Sequence, residues 1–161
     1  MDEFPDRAET VARGGTKMSI RLSNGLSVDL RVVPAESFGA ALQYFTGSKD
    51  HNVVLRGMAR QQGLRINEYG VYRVQGNDQQ YVAGAEEADV YAALDLPWFP
   101  PELRESRCEF EWAQERSLPE LIQLSDIRGD LHMHTTATDG KATLEEMIEA
   151  AQRRDLSYIA I

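Results

Sequence analysis

Pro97, Pro100 and Pro101 surround Trp98 and Phe99 within five residues, and this cluster constrains the fold more than any other feature of the chain. Proline lacks an amide donor and has a fixed φ, so neither a helix nor a central strand passes through residues 96–101. The chain must be organised on either side of an irregular segment. The stretch after it, Glu102 to Arg128, is acidic and weakly periodic. It reads as a connector that lies on a neighbour through Trp98, Phe99 and Trp112, with a domain boundary inside it.

A chain of 161 residues, 42% hydrophobic and 27% charged, suits one ordinary domain or two small ones. That composition excludes a disordered tail, a collagen-like repeat and a disulfide scaffold. Cys108 has no partner cysteine, which fits a reducing, cytoplasmic setting. No run of about 18 apolar residues is present, so no membrane partner is expected. The acidic start, Met1 to Asp6, lacks the basic-then-apolar order of a signal peptide.

The net charge of −9 hides an uneven distribution. Arg13 to Arg73 holds nine lysines and arginines against four acids, whereas Val74 to Arg128 holds twelve acids against four arginines. The first segment suits a polyanionic partner and the second would be repelled by one.

Local patterns supply the elements. Ile20 to Val33 reads as a β-hairpin around Asn24-Gly25, a dipeptide suited to a type I′ turn. Leu26, Val28, Leu30 and Val32 alternate and are expected to face a core, with Asp29 and Arg31 together on the other face. Phe38, Ala41, Leu42 and Phe45 recur at helical spacing and predict a short helix with that face buried. Ser48 is placed to cap a helix from about Lys49 to Gln62, which Gly63 would end. Ile66 to Val74 and Tyr81 to Ala83 read as strands of a small antiparallel sheet, and Glu86 to Leu94 as a helix. Asp130 to His134 reads as a short strand, Thr143 to Glu146 as a capping box, and Tyr158 to Ile161 as a buried strand. Strand, helix and strand make one βαβ unit, which cannot form a domain alone, so the sequence is expected to be cut there.

Few residues stand out chemically. His132 and His134 share a strand face and Asp139 follows in the next loop; imidazole plus carboxylate suits zinc, manganese or iron. The ordinary alternative is a polar strand face. Asp29 is a single carboxylate beside Arg31, commonly a solvated ion pair, and two-metal phosphoryl transfer needs several carboxylates. Tyr44-Phe45-Thr46-Gly47-Ser48 is an aromatic pair before a glycine hinge, otherwise a helix end packed on a core. Asn52 and Arg56 share a helix face and could reach a groove. His51 reads as solvated.

Taken together, Val28-Asp29-Leu30-Arg31, Tyr44-Phe45-Thr46-Gly47-Ser48 and Ile66-Asn67-Glu68-Tyr69 resemble X-family DNA polymerases in order and spacing. Leu96 to Arg104 and Asp130-Leu131-His132-Met133-His134 resemble the bacterial PolX subgroup, in which a polymerase core precedes a PHP (polymerase and histidinol phosphatase) domain with 3′-5′ exonuclease activity. The resemblance implies an α+β chain: the end of a palm (1–34), a thumb (35–96), an acidic Pro-rich connector (97–128) and the first βαβ unit of a truncated PHP (β/α)-barrel (129–161).

It further implies that Asp29 binds catalytic Mg²⁺ or Mn²⁺ and that Arg31 pairs with the palm carboxylates. Tyr44, Phe45 and Gly47, in the segment that ends at Ser48, would lie against the incoming dNTP. Asn52 and Arg56 would contact the nascent pair and template, and Glu68 would act in closure. His132, His134 and Asp139 would hold Mn²⁺, Zn²⁺ or Fe. Expected partners are gapped or primer-template DNA, with the protein a monomer.

The helix-hairpin-helix region, the nucleotide-binding fingers and the paired palm aspartates that precede such a segment in the family are absent, Gly15 stands where an acid is usual, and the chain ends before the T-D-H motif. The piece alone is therefore expected to be inactive. A noncatalytic DNA-binding module and a PHP-type phosphoesterase are the alternative readings.

Overall fold

The structure, a computed structural model, describes residues 4–161; the first three residues of the acidic start lie outside it. The chain divides at Leu118–Pro119 into two compact units. The first begins with an antiparallel sheet of β1 (Arg7–Arg13), β2 (Lys17–Leu22) and β3 (Ser27–Arg31), in that order. Strand β1 has no apolar alternation to predict it, and every residue in it is exposed. The β2–β3 register pairs Met18 with Leu30, Ser19 with Asp29 and Lys17 with Arg31.

The hairpin turn differs from the type I′ expectation. Gly25 alone takes positive φ (87°), its amide donates to Leu22 O at 2.9 Å, and the Leu22 amide donates to Leu26 O at 2.8 Å. This is a three-residue connection with glycine in the left-handed position. Asn24 acts instead through its side chain, whose Oδ1 accepts from the Leu26 amide at 3.0 Å. The predicted inward set is also corrected: Leu26, Leu30 and Val32 are exposed, and Met18 and Ile20 of the central strand are buried. An edge strand receives less cover than the strand between two others.

Helices α1 (Phe38–Phe45) and α2 (Lys49–Gln61) precede a meander of β4 (Leu64–Asn67), β5 (Gly70–Gln75) and β6 (Asp78–Ala83), followed by α3 (Glu87–Ala92). Ser48 Oγ caps α2 by accepting from the His51 amide at 3.1 Å, and Gly63 (φ +70°) follows the helix end.

The buried face of α1 is largely not the one its periodicity predicts. Of the residues expected inside, only Ala41 is buried; Phe38, Leu42 and Phe45 are exposed, and Gly39, Ala40 and Gln43 are buried with Ala41. Close approach decides this. Gly39 N and Ala40 N donate to Ala85 O and Gly84 O at 2.9 and 2.8 Å, and a Cβ on Gly39 would lie 2.2 Å from the Glu86 backbone. Only small residues let the backbone segment before α3 come this near.

The core gathers Leu55 and Ala59 of α2, Leu64, Ile66 and Val71 of the sheet, and Val90 and Tyr91 of α3. Phe99 joins it fully buried, and Phe110, Ala113 and Leu118 pack against it. Residues 97–118 are thus part of the first unit's core packing, and they contain a helix the sequence did not announce, α4 (Glu109–Glu115). Its apolar residues, Phe110, Trp112 and Ala113, are too few for a periodic signal.

In the second unit β7 (Gly129–Asp130) pairs in parallel with β8 (Tyr158–Ile159), and α5 (Leu144–Arg153) lies between them in sequence. The capping box forms as its sequence requires: Thr143 Oγ1 accepts from Glu146 N at 3.2 Å and Thr143 N donates to Glu146 Oε2 at 2.8 Å. Strand β7 is shorter than expected. Asp130 Oδ1 accepts from the His132 amide at 3.2 Å, turning the chain out of the ladder before the histidines. Tyr158, at the start of β8, is exposed rather than buried.

Candidate functional site

On β3, Asp29 faces Ser19 of β2, whose hydroxyl donates to its carboxylate. That hydrogen bond, with Lys17 and Arg31 nearby on the same sheet face, holds the exposed carboxyl below the usual carboxylate range. Asp29 is therefore an anion at neutral pH. Arg31 stacks over the Phe45 ring at 5.0 Å, joining the last strand of this sheet to the end of α1. Phe45 and Tyr44 meet edge-on at 5.0 Å.

The segment from Thr46 to Ser48 turns α1 into α2. Gly47 has φ +106°, and a Cβ there would lie 2.7 Å from Arg104 Cβ, so a larger residue conflicts with both backbone and neighbour. Arg104 O in turn accepts from the Ser48 amide at 2.8 Å.

Asn52 is held from all sides. Its amide nitrogen donates to Tyr44 O at 3.2 Å and Ser48 O at 3.4 Å, and its oxygen accepts from Gln43 Nε2 at 2.9 Å. One turn on, Arg56 Nε donates to Asn52 O at 3.2 Å. Tyr44, Arg56 and Glu68 share a cleft of about 660 Å³ with Arg60, Arg65 and Asn67. Three guanidinium groups against one carboxylate make that cleft suited to a phosphodiester. Arg60 and Arg65 were not singled out from the sequence, although Arg60 stands four residues after Arg56 and so on the same helix face.

His51 corrects its expected solvation: it is fully buried, stacked on Phe110 at 4.8 Å, with Nδ1 2.8 Å from Glu109 Oε1 and Nε2 3.1 Å from Tyr91 Oη. Burial pushes its pKa down, against the pull of Glu109, so it is neutral. Burial also pushes Glu109 up, but hydrogen bonds from His51 and from the Ser106 and Arg107 amides outweigh it and leave an anion. Arg104 is buried beside this pair, donating to Phe99 O at 2.9 Å and to Glu87 Oε1 at 2.7 Å. No sequence pattern marks the His51–Glu109 and Arg104–Glu87 pairs, because their members lie 58 and 17 residues apart.

In the second unit the loop after β7 folds back on itself. A Cβ on Gly140 would lie 2.4 Å from the His134 backbone, and this close return sets Asp139 Oδ1 2.7 Å from His134 Nδ1. On the other side of the ring, His134 Nε2 lies 3.3 Å from His132 Nε2. The three residues are thus brought together and exposed. Among the described residues no group of three or more His, Cys, Asp or Glu side chains is arranged to hold a metal ion. Asp29 likewise offers one carboxylate, short of what a two-metal centre requires.

Residues 41–105 match the family model described as DNA polymerase beta thumb. Over 161 residues the chain is 43% identical to DNA polymerase/3′-5′ exonuclease PolX of Bacillus subtilis (strain 168), an alignment covering 99% of the chain and 28% of that protein. It is 35% identical over 86 residues to DNA polymerase lambda of Rattus norvegicus, covering 48% of the chain and 15% of the relative. In fold it is similar to a crystal structure of Leishmania infantum polymerase beta, a ternary P/T complex, with a TM-score of 0.51 and 24% identity over 62% of this chain and 48% of that one. The chain spans less than a third of the length of these two sequence relatives.

Proposed function

We propose that the chain is part of an X-family DNA polymerase, with that family's thumb at residues 41–105, and that it serves template-directed nucleotidyl transfer within a longer polymerase; the 43% identity to a bacterial PolX over 99% of the chain supports this reading. The substrates are a dNTP and a primer 3′-hydroxyl on gapped or primer-template DNA. The observation that carries this reading is the arginine-lined cleft that gathers Tyr44, Arg56 and Glu68.

Asp29 supplies one anionic carboxylate to a divalent-metal site whose remaining ligands lie outside this chain. Mg²⁺ or Mn²⁺ held in part by Asp29 would supply stabilisation of developing charge on the transferring phosphoryl group. Arg31 aligns that carboxylate and, through its stacking on Phe45, couples the strand to the segment against the incoming sugar. Asn52 and Arg56 meet the nascent pair from the minor groove. The acceptors there are similar in all base pairs, so contacts test pair shape without choosing sequence.

Residues 129–161 open a PHP domain in this reading, and His132, His134 and Asp139 contribute to its metal cluster for 3′-5′ exonuclease. Their mutual approach supports that role. The test is nucleotide incorporation by the full-length protein carrying Asp29→Ala. Loss of incorporation with DNA binding retained is expected; near-normal incorporation removes the palm assignment.

A further inference from the structure

Five buried or half-buried polar side chains form one continuous hydrogen-bonded chain through the first unit, and its direction can be deduced link by link. Glu109, 1% exposed, is anionic and already accepts from Ser106 N at 2.6 Å and Arg107 N at 2.8 Å. A carboxylate offers no proton, so neutral His51 must carry its proton on Nδ1 and donate it to Glu109 Oε1. His51 Nε2 is then an acceptor, and the Tyr91 hydroxyl 3.1 Å away must donate to it. Tyr91 Oη is left to accept, and Gln43 Nε2 stands 3.5 Å from it.

The same Gln43 nitrogen donates to Asn52 Oδ1 at 2.9 Å, which leaves the Asn52 amino group for the Tyr44 and Ser48 carbonyls. This orientation leaves buried Gln43 Oε1 with no partner among the described residues. Turning the amide over would set Gln43 Oε1 against Asn52 Oδ1, two acceptors face to face. Gln43 Nε2 thus meets two acceptors at once, Asn52 Oδ1 and the Tyr91 hydroxyl oxygen that the Glu109–His51 link leaves accepting, and together they outweigh the cost of one unpartnered oxygen.

We propose that Glu109, His51, Tyr91 and Gln43 form a positioning relay that sets the orientation of the Asn52 carboxamide. Its functional meaning rests on the reading of Asn52 as a contact to the nascent base pair. The segment around α4 is then no passive connector: it supplies the anion that polarises the chain ending at the base-pair side of the thumb. Tyr91→Phe cuts the relay at its centre while keeping the ring. Val90→Ala, a buried neighbour off the relay, controls for lost stability.

The first readout is the side-chain amide NMR signals of Asn52 in the 161-residue chain. Tyr91→Phe is expected to move them and to speed their hydrogen exchange about tenfold, whereas Val90→Ala leaves them in place. Gln43→Met, of similar volume and without polar atoms, gives the same readout should Tyr91→Phe not fold. Signals unchanged in both relay variants overturn the proposal.

The second readout uses the full-length polymerase. There the relay variants are expected to lose about fivefold in preference for a matched over a mismatched nucleotide, with affinity for DNA unchanged. Moved signals with full preference retained overturn the positioning role. A full-length wild-type protein that incorporates no nucleotide instead overturns the polymerase reading, and the amide signals then decide the relay by themselves.

Discussion

Glu109 shows how much a single buried side chain can hold when its carboxylate accepts three hydrogen bonds. Its carboxylate is bound by His51 and two backbone amides, so truncation strands three donors in a buried place. Glu109→Ala is expected to lower unfolding free energy by about 3 kcal/mol, read by urea denaturation of the 161-residue chain. The same pair gives a pH signature. His51 titrates in the folded state below its ordinary 6.5, and Glu109 below its ordinary 4.5. In both windows the unfolded chain binds more protons, so stability is full above pH 6.5 and falls as pH drops through 6.5 and again through 4.5. His51→Gln should flatten the upper part of that fall in denaturation midpoints measured against pH.

Among the elements, α1 and α5 are opposites. Capping-box chemistry defines α5, and it is local: Thr143 and Glu146 need only each other. Thr143→Ala is expected to cost about 1 kcal/mol, with faster amide exchange confined to the first turn of α5. By contrast α1 is defined by what it lies against. Gly39→Ala would drive a methyl group into the Glu86 backbone and should cost about 3 kcal/mol in thermal or urea unfolding, although alanine favours isolated helices. Helical spacing announced α1 as a helix, but hydrophobicity chose the wrong face, because a close backbone approach rewards small residues and leaves Phe38, Leu42 and Phe45 outside.

For the whole molecule, charge is the relevant quantity. The lysines and arginines between Arg13 and Arg73 are spread along sixty residues of sequence, yet Arg56, Arg60 and Arg65 converge on one cleft. If that cleft binds a phosphodiester backbone, Arg60→Ala and Arg65→Ala should each weaken duplex binding alike on all sequences. Each should also lower the slope of log affinity against log salt by about 1, measured by fluorescence anisotropy. Unchanged slopes would remove the cleft from the DNA interface.

Sequence by itself determined what depends on neighbours in the chain: the α2 cap at Ser48, the capping box of α5, the hairpin at Gly25 and the break at Pro97 to Pro101. Turn, cap and proline energetics act within a few residues, so they are readable without a fold. His132, His134 and Asp139 do meet, but through a loop that returns at Gly140 and not on the strand face expected to join the histidines. Tertiary structure decided the rest: which face of α1 is buried, that His51 lies in the interior, and that α4 joins the first unit's core. Each of these depends on pairing or packing between residues far apart in sequence. Burial there is set by how closely two backbones can approach and by which donor meets which acceptor, and neither quantity is written in any one segment.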